Sequence, residues 1–325
     1  MEIPPSVVLP CPLSAGWEVV EQRVLPPSHG GGFSAGAYLS SSDELWLLSD
    51  SPRGSIARWR GLKAGGLKGL EPLPPLPLSL PEPMDGEGLV LDGPNLWVAS
   101  EGRRQPSQPS QPSQQAALLR YELASGALLQ SLNLPPAWDL KGESGLRSNG
   151  GPESLTRVRG TGELLMAAEE PLQQDPPDRV RLLRWKLGAA GGLVPDPLPP
   201  LALPPGGWGL TDLLATDGGL LGLWRLFKQP DQWQARLVLY PPGAASTSAS
   251  TDPAGHPLTP KASWNLLQLG LPADNWEVLL AAPPLADGRA SLVLASDDNF
   301  NPLQRSHLAR LVPRRLQGCP PLNQR

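Results

Sequence analysis

A single phrase recurs five times along this sequence: a Gly- or Asx-marked turn, a short apolar strand, a turn, a second apolar strand, and then an acid. The first copy leads from Gly31-Gly32-Phe33-Ser34 to Leu45-Trp46-Leu47-Leu48-Ser49-Asp50. The second runs from Asp85-Gly86-Glu87-Gly88 to Leu96-Trp97-Val98-Ala99-Ser100-Glu101, and the third from Gly150-Gly151-Pro152-Glu153 to Leu164-Leu165-Met166-Ala167-Ala168-Glu169. The fourth joins Gly209-Leu210-Thr211-Asp212 to Leu220-Leu221-Gly222-Leu223-Trp224-Arg225. The fifth joins Asp274-Asn275-Trp276-Glu277 to Ser291-Leu292-Val293-Leu294-Ala295-Ser296-Asp297-Asp298-Asn299. The copies are roughly 53 to 66 residues apart, enough for a four-stranded sheet with its loops, and a strand-only repeat of that length predicts a β-propeller.

Two further strands fit between successive copies. Third strands read Ile56–Trp59, Leu118–Leu123, Val180–Leu187 and Ala235–Tyr240, with the loose alternation of a strand buried on one face. Fourth strands end on a Leu-Pro mark at Leu134-Pro135, Leu203-Pro204 and Leu271-Pro272, where proline suits an outer edge. The last copy has a third strand, His307–Pro313, but no fourth, while Trp17–Pro26 carries the same ending at the other terminus. The N-terminal strand is therefore expected to complete the last blade and close the ring. The reading is an all-β chain forming one propeller over residues 17–313, with tails at 1–16 and 314–325. It has five blades, or six if a loop conceals a further sheet.

The same closure brings the two cysteines, Cys11 and Cys319, to one end of a hairpin-like junction. They form either a ring-tying disulfide, worth roughly 4–5 kcal/mol by loop-closure entropy, or two unrelated thiols in the tails. A bridge would imply an oxidising compartment. Met1–Ser14 contains four Pro and no long apolar run, so it reads as neither a signal peptide nor a membrane span. Two low-complexity stretches, the Gln-Pro-Ser repeats of 105–113 and the Ser/Thr/Ala/Pro-rich 243–260, read as solvated loops.

Composition agrees with a turn-rich all-β chain: 35 Gly, 42 Pro and only 18% charged residues. The 11 Trp need a core, which argues against disorder. A formal net charge of −4 offers no basic footprint for nucleic acid.

In an antiparallel blade the start of strand one and the end of strand two lie at the same end, and strand one lines the channel. The repeated acids should therefore meet at one mouth: Asp85, Glu87, Glu153, Asp212 and Glu277 from strand-one starts, with Asp50, Glu101, Glu169, Glu170, Asp297 and Asp298 from strand-two ends. The fourth strand-two end offers Arg225 instead. Two like charges 4 Å apart repel by about 4 kcal/mol at an effective dielectric near 20. Relief comes from Arg225, proton uptake, backbone N–H donors or a bound cation. Calcium, which takes six to eight oxygens in irregular geometry, matches this donor set best. Zinc does not, since His29, His256 and His307 are scattered. The blander role for any one acid is to brace turn amides of the next blade. Gly32-Phe33-Ser34-Ala35-Gly36 spells G-x-S-x-G, but a strand follows in place of the helix that a nucleophile elbow needs.

Asp85-Gly86-Glu87-Gly88, Ser100-Glu101-Gly102, Leu210-Thr211-Asp212-Leu213-Leu214, Asp274-Asn275-Trp276-Glu277 and above all Ser296-Asp297-Asp298-Asn299-Phe300-Asn301-Pro302-Leu303-Gln304-Arg305 resemble the phytase-like propeller family, often labelled "esterase-like activity of phytase" and common in bacteria, including cyanobacteria. The similarity spans about residues 17–313. It implies a propeller, an exported (periplasmic or extracellular) protein, and calcium-dependent hydrolysis of phosphate or carboxylic esters. Departures occur at Val278, at Gly151-Pro152-Glu153, and at Trp224-Arg225-Leu226-Phe227, where an acid followed by Arg-Ser-Phe is typical.

The functional expectation is a calcium-binding hydrolase of small ester or phosphoester substrates, monomeric, without nucleic-acid or membrane partners. The metal ligands expected are Glu87, Glu101, Glu153, Glu169 and Asp297, with Asp298 or Glu277 as general base. Arg225, Arg305 and Asn299 would bind the substrate, Arg225 also stabilising charge during reaction. Phytate itself suits the chain poorly, because six phosphates call for many cations and there are only six Lys. The alternatives are a non-catalytic propeller that binds a protein or small ligand on the same face, and a sugar- or lactone-active propeller.

Overall fold

The computed structural model describes residues 9, 16–79, 84–105, 108–140, 144–230, 232–241 and 255–314. Cys11, Cys319 and residues 243–254 lie outside them, as do the tails apart from Leu9, Gly16 and Arg314, so the expected bridge falls on residues not described. Strand β1 (Trp17–Val24) opens the chain. The first blade follows as β2 (Phe33–Leu39), β3 (Glu44–Ser49), β4 (Ser55–Arg60) and β5 (Glu71–Pro77). The second contains β6 (Gly86–Asp92) and β7 (Asn95–Ser100), then an inserted pair β8 (Arg103–Gln105) and β9 (Gln108–Gln114), then β10 (Ala117–Glu122) and β11 (Leu128–Asn133). The third comprises β12 (Ser154–Arg157), β13 (Leu164–Ala167), β14 (Arg179–Leu187) and β15 (Leu193–Ala202). The fourth comprises β16 (Gly209–Thr216), β17 (Gly219–Lys228), β18 (Gln232–Tyr240) and β19 (Ala262–Asn265). The fifth supplies β20 (Trp276–Ala282), β21 (Ser291–Ser296) and β22 (His307–Pro313).

β1 pairs antiparallel with β22, from Trp17 opposite Pro313 to Val24 opposite His307, and so becomes the outer strand of the fifth sheet. Five four-stranded antiparallel sheets result, making a five-bladed propeller closed by the N-terminal strand. The core has the same symmetry. Five apolar clusters each fill the gap between two neighbouring blades, one for every gap in a closed circle. Third strands place a large ring at matching positions in four blades: Trp59, Tyr121, Trp185 and Tyr240, each buried opposite a Leu of strand two. Sheet-on-sheet packing of this kind is what the alternating apolar strands require.

The outer strands depart most from expectation. β5 reads Glu71-Pro-Leu-Pro-Pro-Leu-Pro77 and β15 begins at Leu193, well before the Leu-Pro mark. Both are rich in proline, which removes N–H donors from the outward edge and blocks further pairing. β19 ends at Asn265 and passes into a 3-10 turn at Leu267–Leu269. The Gln-Pro-Ser stretch is not a bare loop: β8 and β9 pair with each other, Arg103 opposite Gln114.

Candidate functional site

The backbone repeats one device at the same end of each blade. In four blades a residue one or two places past strand two donates its N–H to the start of strand one: Asp50 to Gly32 (2.8 Å), Glu101 to Asp85 (2.9 Å), Glu169 to Gly151 (2.9 Å) and Asp297 to Asn275 (2.8 Å). Just beyond, the strand-one ladder slips by a residue in blades one, two, four and five, leaving Ser34, Glu87, Thr211 and Glu277 as the bulged residues. Glu153 holds the matching place before β12. A bulge re-aims a side chain that a regular strand would direct elsewhere. Two concentric rings follow. The inner one is Ser34, Glu87, Glu153, Thr211 and Glu277; the outer one is Asp50, Glu101, Glu169, Arg225 and Asp297.

The hydroxyl positions brace the ring. Ser34 Oγ donates to the carbonyl of Gly86, and Thr211 Oγ1 to the carbonyl of Trp276 at 3.2 Å, each on the next blade. Ser34 is thus a buried structural tie, not an exposed nucleophile. Asp212, expected at the mouth, lies one residue past the bulge. It accepts N–H bonds from Leu213 (2.8 Å) and from Leu279 (2.7 Å) of the next blade, while full burial lifts its pKa well above the usual range. That correction follows from the slipped register.

Two of these acids, Glu169 and Glu277, are bridged by one cation. Arg225 donates to Glu169 (2.7 Å), to Asn275 Oδ1 (2.7 Å) and to Glu277, so it spans blades three and five from blade four. Asn275 Nδ2 in turn donates to Glu277 (2.9 Å) and Asp297 (3.2 Å). Glu101 accepts the N–H of Gly151 at 2.8 Å; a Cβ on Gly151 would stand 2.1 Å from Glu101 Cγ, so only glycine permits the approach. Asp85, Glu87 and Glu101 each present an oxygen, all within 4.8 Å of one another.

Burial dominates the ionisation of these groups. It pushes Glu101 and Glu277 up to about 8, against the Gly151 N–H in the first case and Arg225 in the second. Burial, followed by repulsion from Glu153, lifts Glu87 far above the ordinary carboxylate range, and Glu153 is lifted likewise by burial and Glu169. Glu169 is raised by burial against the pull of Arg225. Burial takes Asp297 to about 6, against the Asn299 N–H, and Asp50 to about 7. Asp50 Oδ1 is buried with no hydrogen-bond partner among the described residues. Below the mouth lies a cavity of about 170 Å³ lined by Leu89, Leu155, Leu213 and Leu279, and also by Asp212, Arg157, Arg159 and Asp217. A second cavity, about 230 Å³, opens beside Asp85, Glu101, Arg103 and Arg147.

Glu87, Glu101, Glu153, Glu169, Glu277, Asp297 and Arg225 thus meet at one mouth. Asp298 faces the chain itself: its Oδ1 accepts the N–H groups of Gly32 (2.9 Å) and Phe300 (3.1 Å). Asn299 is exposed, with Nδ2 3.3 Å from Gln304 Oε1, and the exposed Arg305 donates to the carbonyls of Pro302 and Gln304 on its own loop. Glu170 is exposed and 3.9 Å from Arg147. Spacing alone did not single out Asp85 as the partner of Glu87 and Glu101, or Asn275 as the link from Glu277 to Asp297. A short polar side chain two residues before Glu87 and Glu277 was the available signal; Glu153 has Gly151 at that place.

Five radial sheets around a central channel with an acidic mouth define a five-bladed β-propeller with a polar site on its axis. The chain belongs to the phytase-like family, described as "Esterase-like activity of phytase", which it matches over residues 28–300. Among solved structures, a thermostable family-43 glycoside hydrolase is similar, with a TM-score of 0.51 at 9% identity, covering 91% of this chain and 94% of that one. The GH43_1 enzyme of Xanthomonas citri, solved with xylotriose, is similar with a TM-score of 0.50 at 9% identity, covering 92% of each chain. At that identity the likeness is one of fold. No curated protein matches the sequence. Among the described residues no helix is long and apolar enough to cross a membrane.

Proposed function

We propose that this protein is a calcium-binding hydrolase of esters, acting at the acidic mouth on a small phosphate or carboxylic ester. One observation carries the reading: seven buried or half-buried carboxylates, Asp50, Glu87, Glu101, Glu153, Glu169, Glu277 and Asp297, lie at the same end of the blades, with Arg225 paired to Glu169 and Glu277. The family description supports it. The donors suit calcium, being hard carboxylate oxygens on several elements, with Asp50 Oδ1 buried and unsatisfied beside them. Asp85, Glu87 and Glu101 would hold the ion, Glu153 completing the set. When bound, such an ion polarises an ester oxygen and lowers the pKa of water.

The chain's own groups do the rest. Glu277, with a pKa near 8, has the basicity to take a proton from water near neutral pH. Arg225 and Asn275 fix its orientation and keep its charged form accessible. Arg225 also places positive charge where an anionic oxygen would develop. Glu169 is engaged with Arg225 and serves best by positioning it.

The test begins with metal-free protein titrated with calcium while the melting temperature and the hydrolysis of 4-nitrophenyl phosphate and 4-nitrophenyl acetate are followed. Stabilisation by calcium, with turnover lost in chelator and in Glu101→Gln, is expected. Stabilisation without turnover of either ester would instead favour a ligand-binding propeller. Turnover of an aryl glycoside alone would favour the sugar-active reading. No response at all would leave the acids as braces between blades.

A further inference from the structure

An aromatic side chain at the rim of the mouth bears on which ester is taken. Asn299 and Phe300 both have φ of 49°, the left-handed region that residues with a β-carbon disfavour. Two successive residues in that conformation are held by the preceding acids: Asp297 Oδ1 accepts the N–H of Asn299 (2.8 Å), and Asp298 Oδ1 that of Phe300 (3.1 Å). The same Asp298 oxygen ties the loop to Gly32 on blade one. What this arrangement delivers is a phenyl ring 57% exposed. Its tip lies over Gly32, where a Cβ would stand 2.3 Å from Phe300 Cζ and 2.3 Å from Asp50 Oδ1. The ring therefore sits at the start of an inner strand, beside an outer-ring acid.

Blade four presents a second ring. Its β17–β18 hairpin runs past Arg225, and Phe227, on the same face of β17, is 43% exposed. Phe227 packs on Trp233 across the hairpin with centroids 4.4 Å apart, and the Arg225 guanidinium lies 5.8 Å from the Trp233 ring centre. Leu303, 90% exposed, extends the apolar rim on the Phe300 loop. Charge around the mouth is already negative, and the nearby cations are paired, Arg103 with Asp85 (3.8 Å) and Arg147 with Glu170 (3.9 Å). A phosphate would add negative charge there, whereas a neutral ester adds none.

Resting on the hydrolase reading above, we infer that the favoured substrate is a neutral carboxylic ester whose apolar acyl group seats against Phe300, rather than a phosphate. The reaction balances with one water: its oxygen joins the acyl carbon, the bond to the alcohol oxygen breaks, and that oxygen takes a proton. The test compares 4-nitrophenyl acetate, butyrate, octanoate and phosphate on calcium-loaded wild type and on Phe300→Gly. Calorimetric binding of octanamide, which carries no ester, is measured alongside. Burying a few methylenes on the rim predicts an octanoate-to-acetate ratio of kcat/KM of about tenfold or more. In Phe300→Gly that ratio should fall towards one and octanamide should bind about tenfold more weakly, while the melting temperature rises as the backbone strain is relieved. Phosphate turned over faster than octanoate, or a chain-length ratio indifferent to Phe300→Gly, would overturn the inference. If no ester is hydrolysed but octanamide still binds in a Phe300-dependent way, the hydrolase reading fails and the apolar seat stands. If octanamide binds neither protein, the seat itself is wrong.

Discussion

Asp50 concentrates the chemistry of the mouth in one side chain. Burial, then the charges of Asp297, Asp85 and Asp298, lift its pKa from 3.8 to about 7. Across that interval the folded protein keeps a proton that the unfolded chain has released, so folding stability falls as pH rises from about 4 to about 7. Asparagine matches the protonated form and does not titrate. In metal-free protein, Asp50→Asn should therefore raise the urea midpoint at about pH 8, by roughly 1 kcal/mol of stability after allowing for partial exposure, and change it little at about pH 4. A drop at the higher pH would mean that the carboxylate is instead held ionised. The acids as a set were legible in the sequence because they recur with the repeat. Which of two neighbours turns inward was not: Thr211 takes the bulged place and Asp212 becomes a brace, a choice made by backbone register that residue spacing does not encode.

Arg225 shows what an element contributes beyond its side chain. It stands on the longest strand-two of the propeller, β17, and reaches a neighbour on either side, Glu169 and Glu277. Arg225→Met keeps the length of the side chain and removes the charge, leaving two buried carboxylates facing each other. Breaking a buried ion pair from one side costs about 3–5 kcal/mol. Both glutamates are already shifted upward, so the variant's deficit should grow as pH rises through about 8 and shrink under acid, where they take up protons. Urea titrations of both proteins across that range would show it; a deficit independent of pH would point to lost packing on Trp233 instead. Strands one to three were readable from apolar alternation, since each buries a face between blades. The outer strands were read less well because β5 and β15 carry proline where alternation should be, and their place is set by the partner they pair with.

The ring as a whole depends on where its ends meet. Blade five is assembled from both termini, and Trp17, fully buried at the start of β1, packs edge-on against Trp264 of blade four with centroids 5.9 Å apart at 81°. Its carbonyl also accepts a bond from Arg314 at 2.9 Å, just past β22. Trp17 thus ties the closing strand to blade four through its indole and to the end of β22 through its backbone carbonyl. Trp17→Ala should cost about 3–5 kcal/mol, as for other buried aromatic truncations. How that loss is distributed tells whether the propeller behaves as one cooperative body. Each of the five apolar clusters shares its strands with the clusters on either side, so loosening one gap exposes faces of two blades. The mouth adds ties across the gaps, through Arg225, Glu101, Thr211 and Asp298. In Trp17→Ala, circular dichroism and tryptophan fluorescence should accordingly shift together to one lower midpoint, with calcium shifting both back. An early fluorescence step that leaves the dichroism midpoint where it was would show blade five opening alone, and the two acid rings would then not be held in register by closure.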